Sequence, residues 1–168
     1  TCIIKHADGI GGKTNWACEF VRKYCPTETM LTRIGLDIDK FKRRIDIDWH
    51  KKLGIEDKKV LLYVGIQEKR RNPMFLVDVI SKLPENYVLI MVGSGPDVSE
   101  VNDHIEKLHL QKRCLQLGKL PQDQLPSLYE QSDLFLLASN YEIFGMVLLE
   151  SMYFGLPVIS TLTAGSDA

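Results

Sequence analysis

Apolar positions in the second half of the chain gather into short continuous runs: VLLYVG (60–65), YVLIMVG (87–93), CLQLG (114–118), DLFLLAS (133–139) and LPVIS (156–160). The stretches between them, near 73–83, 98–109, 122–131 and 145–154, carry the spacing of helices with one apolar face. A run that is apolar on successive residues suits a strand covered on both faces, as in a parallel sheet. Alternation of such strands with helices predicts an α/β domain built from βαβ units, a Rossmann-like parallel sheet flanked by helices. Three runs end in glycine (Gly65, Gly93, Gly118), so the backbone turns sharply at their C-terminal ends. Open α/β sheets bind their ligands at that edge.

The first third reads differently. Gly9, Gly11 and Gly12 mark a turn, and Thr14 or Asn15 caps a helix that runs to about Tyr24 and ends at Pro26. Trp16, Ala17, Phe20, Val21 and Tyr24 give that helix an apolar stripe, and Gly35 marks a further turn. Residues 40–59 are dense in charge and read as a solvated connector with a short helix around Trp49 to Leu53. Three parts follow: residues 1–25, a lead-in segment and charged connector over 26–59, and the Rossmann-like domain over 60–168. Beginning at Thr1 and stopping just past the last strand, the chain reads as a fragment truncated at its C-terminus, its closing helix missing.

Composition narrows the class. The 168 residues have a formal net charge of −1, with 45% hydrophobic and 26% charged side chains, which fits a globular domain with a sizeable core. Near-neutral balance argues against nucleic acid as a partner, since such binders carry a basic face. No apolar run approaches the roughly 18–20 residues of a membrane span, and no signal peptide is visible. Cys2, Cys18, Cys25 and Cys114 form no CxxC pair and read as buried thiols of a reducing cytosol. His6, His50, His104 and His109 share no metal-site spacing, and His104 and His109 read as surface residues. Trp49 and Phe41 read as packing or hinge residues.

Chemistry concentrates in Ser139 to Pro157, SNYEIFGMVLLESMYFGLP. Glu142 and Glu150 lie either side of Phe144-Gly145, and the apolar helical run starts directly after the glycine. A helix beginning near Gly145 leaves Glu142 just outside its N-terminus and Glu150 one to two turns in. The backbone N–H groups of Phe144, Gly145, Met146 and Val147 would then face a bound anion, and the helix dipole favours one there. Gly145 lets the backbone approach closely. Acids beside a phosphate make sense if they accept from sugar hydroxyls, Glu150 from a ribose and Glu142 from a second sugar. Two solvated acids would give the same spacing.

Another motif competes. Ala7-Asp-Gly-Ile-Gly-Gly-Lys13-Thr14 nearly matches the phosphate-binding G-x-x-x-x-G-K-[ST] loop, with Ala7 in the first glycine place. TCII is short for the strand that should precede it, and no apolar run ending in Asp follows to hold Mg²⁺.

The run EIFGMVLLE resembles the E-x7-E motif of retaining glycosyltransferases of the GT-B fold, family 4 in particular. The likeness continues in order along the chain over roughly residues 30 to 165. IGLDIDKF resembles the segment that leads into their C-terminal domain, and VLLYVG with Arg71-Asn72-Pro73 resembles the first strand and phosphate loop. VLIMVGSGPD resembles a glycine-proline loop, LYEQSDLFLLAS a helix-to-strand passage with Ala138 where proline is usual, and SMYFGLPVIS the motif's continuation. ADGIGG followed by a helix resembles the crossing from the N-terminal domain, making residues 1–25 the end of that domain or a hinge. The fold implied is the C-terminal half of a GT-B protein.

The resemblance also implies roles. Glu150 would hold the nucleotide ribose and Glu142 the donor sugar, with Phe144, Gly145, Met146 and Val147 on sugar and phosphate. Lys119 and Leu120 would sit beside the base, and Gly65 and Gly93 would border the same pocket. Arg71 would neutralise the diphosphate without a metal or other cofactor. One departure stands out: Ile66 occupies a position where the family usually carries an arginine, and Lys69 or Arg70 would compensate if the loop swings. The implied activity is transfer of a sugar (hexosyltransferase type) from a nucleotide-sugar donor to a sugar or lipid-linked acceptor with retention, in polysaccharide or glycoconjugate biosynthesis. Its place would be the cytoplasm, with peripheral association at the inner face of the membrane. The acceptor would be met through an absent N-terminal domain, so this chain alone is expected to be inactive. The alternatives are a non-catalytic Rossmann-like binding module and a P-loop nucleotide hydrolase.

Overall fold

The computed structural model describes residues 7–163 apart from residues 26 and 33. Pro26, Cys2 and His6 therefore lie outside the described residues. Strands β3 (Lys59–Val64), β4 (Tyr87–Val92), β5 (Cys114–Gly118), β6 (Leu134–Leu137) and β7 (Val158–Ser160) form an all-parallel sheet in the order β5-β4-β3-β6-β7. Each apolar run predicted as a strand is one. β3 and β4 pair in unbroken register from Lys59↔Tyr87 to Val64↔Val92, and β6 pairs with β7 from Phe135↔Val158. Leu62, Tyr63, Ile90, Met91 and Phe135 are wholly buried, as central strands covered on both faces require.

Helices α3 (Pro73–Lys82), α4 (Val98–Lys107), α5 (Leu125–Glu130) and α6 (Met146–Tyr153) connect the strands. From β3 the chain steps one way along the sheet to β4 and β5, and then returns past β3 to β6 and β7. Right-handed crossovers place α3 and α4 on one face and α5 and α6 on the other. The reversal leaves a switch point between β3 and β6, the place where open α/β sheets bind their ligands.

Ahead of the sheet, β1 (Ile10–Gly12) and β2 (Thr29–Leu31) pair in parallel around α1 (Asn15–Tyr24). This corrects the reading of Gly11 and Gly12 as a turn: both lie in β1, where a Cβ on Gly12 would stand 2.5 Å from Cys18 Sγ of α1. Close packing of helix on strand, not chain reversal, calls for that glycine. Thr14 caps α1, its Oγ1 accepting from Ala17 N at 3.1 Å.

The charged connector is less solvated than its composition predicts. A 3-10 turn (Ile38–Phe41) and α2 (Trp49–Leu53) punctuate it, and Phe41, Trp49 and Ile55 are buried. Trp49 donates from Nε1 to Ser127 Oγ at 3.0 Å and from its backbone to Gln131 Oε1 at 2.7 Å, fixing the connector to α5 and its end. His104 is likewise engaged rather than a plain surface residue, its Nε2 lying 2.7 Å from Asp78 Oδ1.

Candidate functional site

The loops that follow β3, β4, β5 and β6 converge on the C-terminal edge of the sheet. Beyond β3 and β4 the hydrogen-bonded ladder continues into the loops: Gly65 N donates to Val92 O at 2.9 Å and Gln67 N to Ser94 O at 3.1 Å. The backbones approach so closely that a Cβ on Gly93 (φ +131°) would stand 1.9 Å from Gly65 O. Tyr63 pins the turn from below, its hydroxyl donating to Ile66 O at 2.8 Å. Burial pushes that phenol up to about 12, so it stays a donor. Beneath the same loops Gln67, fully buried, and Gln116 exchange reciprocal amide hydrogen bonds at 2.7 and 3.0 Å.

Gly65, Gly93, Lys119 and Leu120 line one cavity of about 470 Å³ with Ile66, Ser94, Gly95 and Leu125. Residues as far apart in sequence as Gly65 and Leu125 are thereby brought to a single opening. Ile66 is 53% exposed at its edge. Glu142, Arg71 and Glu150 do not line this cavity. A second cavity, about 390 Å³ between α3 and strands β6 and β7, is walled almost entirely by side chains such as Leu61, Leu76, Leu136 and Ile159. Its walls offer a phosphate or sugar almost no polar partners.

At the switch point the loops after β3 and β6 dock on each other. Asn140 N donates to Arg70 O at 2.8 Å, Arg70 Nη1 to Tyr141 O at 3.1 Å, and Arg71 Nη1 forms a short ion pair with Glu142 Oε2. Glu142 is only 6% exposed, and its other oxygen accepts from Ile143 N at 3.1 Å and Phe144 N at 3.5 Å. The Phe144 N–H, expected to await an anion, is thus turned toward the carboxylate next to it. Burial, followed by the charge of Arg70, lowers the Arg71 guanidinium below its ordinary value. Arg71 Nε and Ser139 Oγ are buried without a hydrogen-bond partner. Arg70 does not stand ready to replace the cation missing at Ile66, because Glu68 holds its other nitrogen at 2.6 Å.

Gly145, in the left-handed region at φ +71°, starts α6 with no side-chain cap. A Cβ there would meet Leu148 Cδ1 at 3.0 Å and Glu142 Cγ at 3.3 Å, so the glycine lets Glu142 fold under the helix end. The first N–H groups of a helix lack partners within it, and Met146 and Val147 supply those groups here. Glu150, in the second turn, is 7% exposed. Its Oε2 accepts from Tyr129 Oη at 3.0 Å and its Oε1 lies 2.5 Å from Lys40 Nζ. Burial first, then the Glu150 carboxylate, raises the Tyr129 phenol, which remains a donor. The two acids predicted as solvated or ligand-facing are both buried and paired.

Sequence reasoning missed Lys40, Tyr129, Gln67 and Ser139. Tyr129 could have been flagged as a phenol on the buried face of its helix beside Leu125 and Leu128; nothing singles out Lys40 within its charge run. The P-loop alternative loses its geometry, since Gly11 and Gly12 lie in β1 and only Lys13 and Thr14 separate that strand from α1. Among the described residues no group of three or more His, Cys, Asp or Glu gathers as a metal could require.

The sequence family described as glycosyl transferases group 1 matches residues 46–167. N-acetyl-alpha-D-glucosaminyl L-malate synthase of Bacillus anthracis is 36% identical over 118 residues, covering 68% of this chain and 30% of that protein. The chain thus spans about a third of that relative's length. Sucrose-phosphate synthase of Thermosynechococcus elongatus superposes with a TM-score of 0.82 at 25% identity, over 98% of this chain and 43% of that one. Anabaena HepE, solved in complex with UDP and glucose, superposes at 0.81 and 21% identity, over 95% and 46%.

Proposed function

The chain belongs to the group 1 glycosyl transferases, and on that premise we propose that residues 60–168 form the nucleotide-sugar-binding half of a retaining, family 4 GT-B enzyme. The observation that carries this reading is the uncapped N-terminus of α6 beside Arg71, whose buried Nε has no partner. Helix N–H groups and a guanidinium together suit a diphosphate. That HepE is solved with UDP and glucose supports a nucleotide sugar as donor.

In this reading the diphosphate sits between Arg71 and the amides of Gly145, Met146 and Val147. Glu150 accepts from the ribose hydroxyls, and Glu142 orients the transferred sugar. The base enters the cavity bordered by Gly65, Gly93, Lys119 and Leu120. When the bond between the sugar and the diphosphate oxygen breaks, the leaving charge grows where Arg71 and the helix end stand, so it is stabilised without a metal. The acceptor oxygen bonds the sugar on the face the diphosphate leaves. A glycoside, a nucleoside diphosphate and a proton result.

Neither glutamate serves as a nucleophile. A sugar or lipid-linked acceptor, in polysaccharide or glycoconjugate synthesis at the cytoplasmic face of a membrane, belongs to the whole protein. Among the described residues no helix is long and apolar enough to cross a membrane. Ile66 favours one second reading, a module that keeps the fold with weakened donor binding and no catalysis.

Calorimetry of the chain with UDP, GDP, ADP and their sugars, in the presence of EDTA, tests the proposal. At least one binds, and Glu150→Ala weakens it by about 1–3 kcal/mol, the worth of hydrogen bonds to a charged group. Binding that persists unchanged in Glu150→Ala puts the site elsewhere.

A further inference from the structure

Glu150 is held from outside its own helix. Lys40 supplies one donor at 2.5 Å and Tyr129 the other at 3.0 Å, one to each carboxylate oxygen. A carboxylate accepts at about four lone-pair sites, so each oxygen keeps an accepting site free. Lys40 does not belong to the sheet; it sits in the 3-10 turn of the connector, 110 residues away in sequence.

That turn is not loosely attached. Asp37 Oδ1 caps it by accepting from Asp39 N at 3.1 Å. Buried Phe41 stacks on Tyr153, with ring centroids 5.6 Å apart, and meets Phe154 edge-on at 5.0 Å. Phe154 stacks on Tyr129 at 5.5 Å. One aromatic cluster thus fixes both donors of Glu150, one from the connector and one from α5. Neighbouring cations go elsewhere: Lys42 pairs with Asp39 at 2.7 Å, and Arg44 with Asp46 and Glu130.

We propose that Lys40 is a positioning residue for the donor site, holding the Glu150 carboxylate so that its remaining lone pairs face the two hydroxyls of a ribose. The inference rests on Glu150 being the ribose acceptor. The connector then contributes a charge to nucleotide recognition as well as joining two parts of the chain. Lys40 acts through Glu150. Its removal leaves a buried carboxylate with one donor, free to turn and to take up water in place of the ribose.

A purely structural ion pair would affect every ligand alike, so the test compares ligands with and without the two hydroxyls. The chain, with Lys40→Met and Lys40→Arg, is titrated with UDP, GDP and ADP and with their 2′,3′-dideoxy counterparts. The original chain binds a ribonucleotide more tightly than its dideoxy form. Lys40→Met lowers ribonucleotide affinity roughly tenfold or more and leaves dideoxynucleotide affinity as it was, while Lys40→Arg restores the preference. Equal weakening of both ligands, or no change in either, overturns the role of Lys40 and leaves that of Glu150 standing. An original chain without preference, or without binding to any of the six, overturns both. Should Lys40→Met not fold, Lys40→Ala, which likewise removes the donor, carries the same expected and contradicting results.

Discussion

Arg71 and Glu142 neutralise each other across the two loops that meet at the switch point of the sheet, with both side chains largely buried. The pair explains how a guanidinium and a carboxylate tolerate burial beside a helix end. Breaking such a pair from one side strands a charge, which costs about 3–5 kcal/mol. Arg71→Met therefore destabilises the fold by that order in urea denaturation. The double variant Arg71→Met with Glu142→Gln recovers part of the loss, because neither charge is stranded.

Ile66 stands half-exposed at the rim of the 470 Å³ cavity. With half of the position open to solvent, an arginine there would add a second cation to the rim that Lys119 already lines. Ile66→Arg is expected to tighten nucleoside diphosphate binding by about 1 kcal/mol or more at low salt. Screening reduces the gain as ionic strength rises. Calorimetric titration at two salt concentrations checks it.

Gly93 cannot carry a side chain where it is. With φ at +131° and Gly65 O only 1.9 Å from an added Cβ, Gly93→Ala must push the loops after β3 and β4 apart. Strain of this kind costs about 1–3 kcal/mol per residue, and the cavity bordered by both loops loses shape. The melting temperature and nucleotide affinity fall together.

Asp133 ties the start of β6 to β3, accepting from Val60 N at 2.8 Å and pairing with Lys59 at 2.8 Å. Burial alone would raise this carboxyl, but the Lys59 and Val60 hydrogen bonds and the Lys59 charge together lower it. A lowered folded value means the contribution is fully present above the unfolded value near 3.9 and fades as pH falls through the folded one. Asp133→Ala costs about 1 kcal/mol at neutral pH through the lost Val60 bond. Thermal melts should show the gap between the two proteins closing below about pH 4.

The sheet was legible in the sequence because its strands are buried on both faces and so write continuous apolar runs. The site helix was legible because Gly145 sits directly before the apolar run it starts. β1 and β2 were not: each has three residues, and the glycines of β1 imitate a turn. The pairing of Arg71 with Glu142 joins residues 71 apart, and that of Lys40 with Glu150 residues 110 apart. Charge runs do not announce which of their members turns inward. Spacing placed Glu142 outside the helix end and Glu150 within the helix but named no partner for either; the fold supplies a guanidinium for Glu142 and an ammonium with a phenol for Glu150.

The location of the nucleotide is the central claim, and backbone amide shifts of the isotope-labelled chain test it most directly. Titration with whichever of UDP, GDP or ADP binds is expected to move the amides of Gly145, Met146 and Val147 most, with Gly93, Lys119 and Leu120 following, and EDTA makes no difference. Shifts confined to Gly9–Thr14, or to the apolar cavity beside α3, would contradict it.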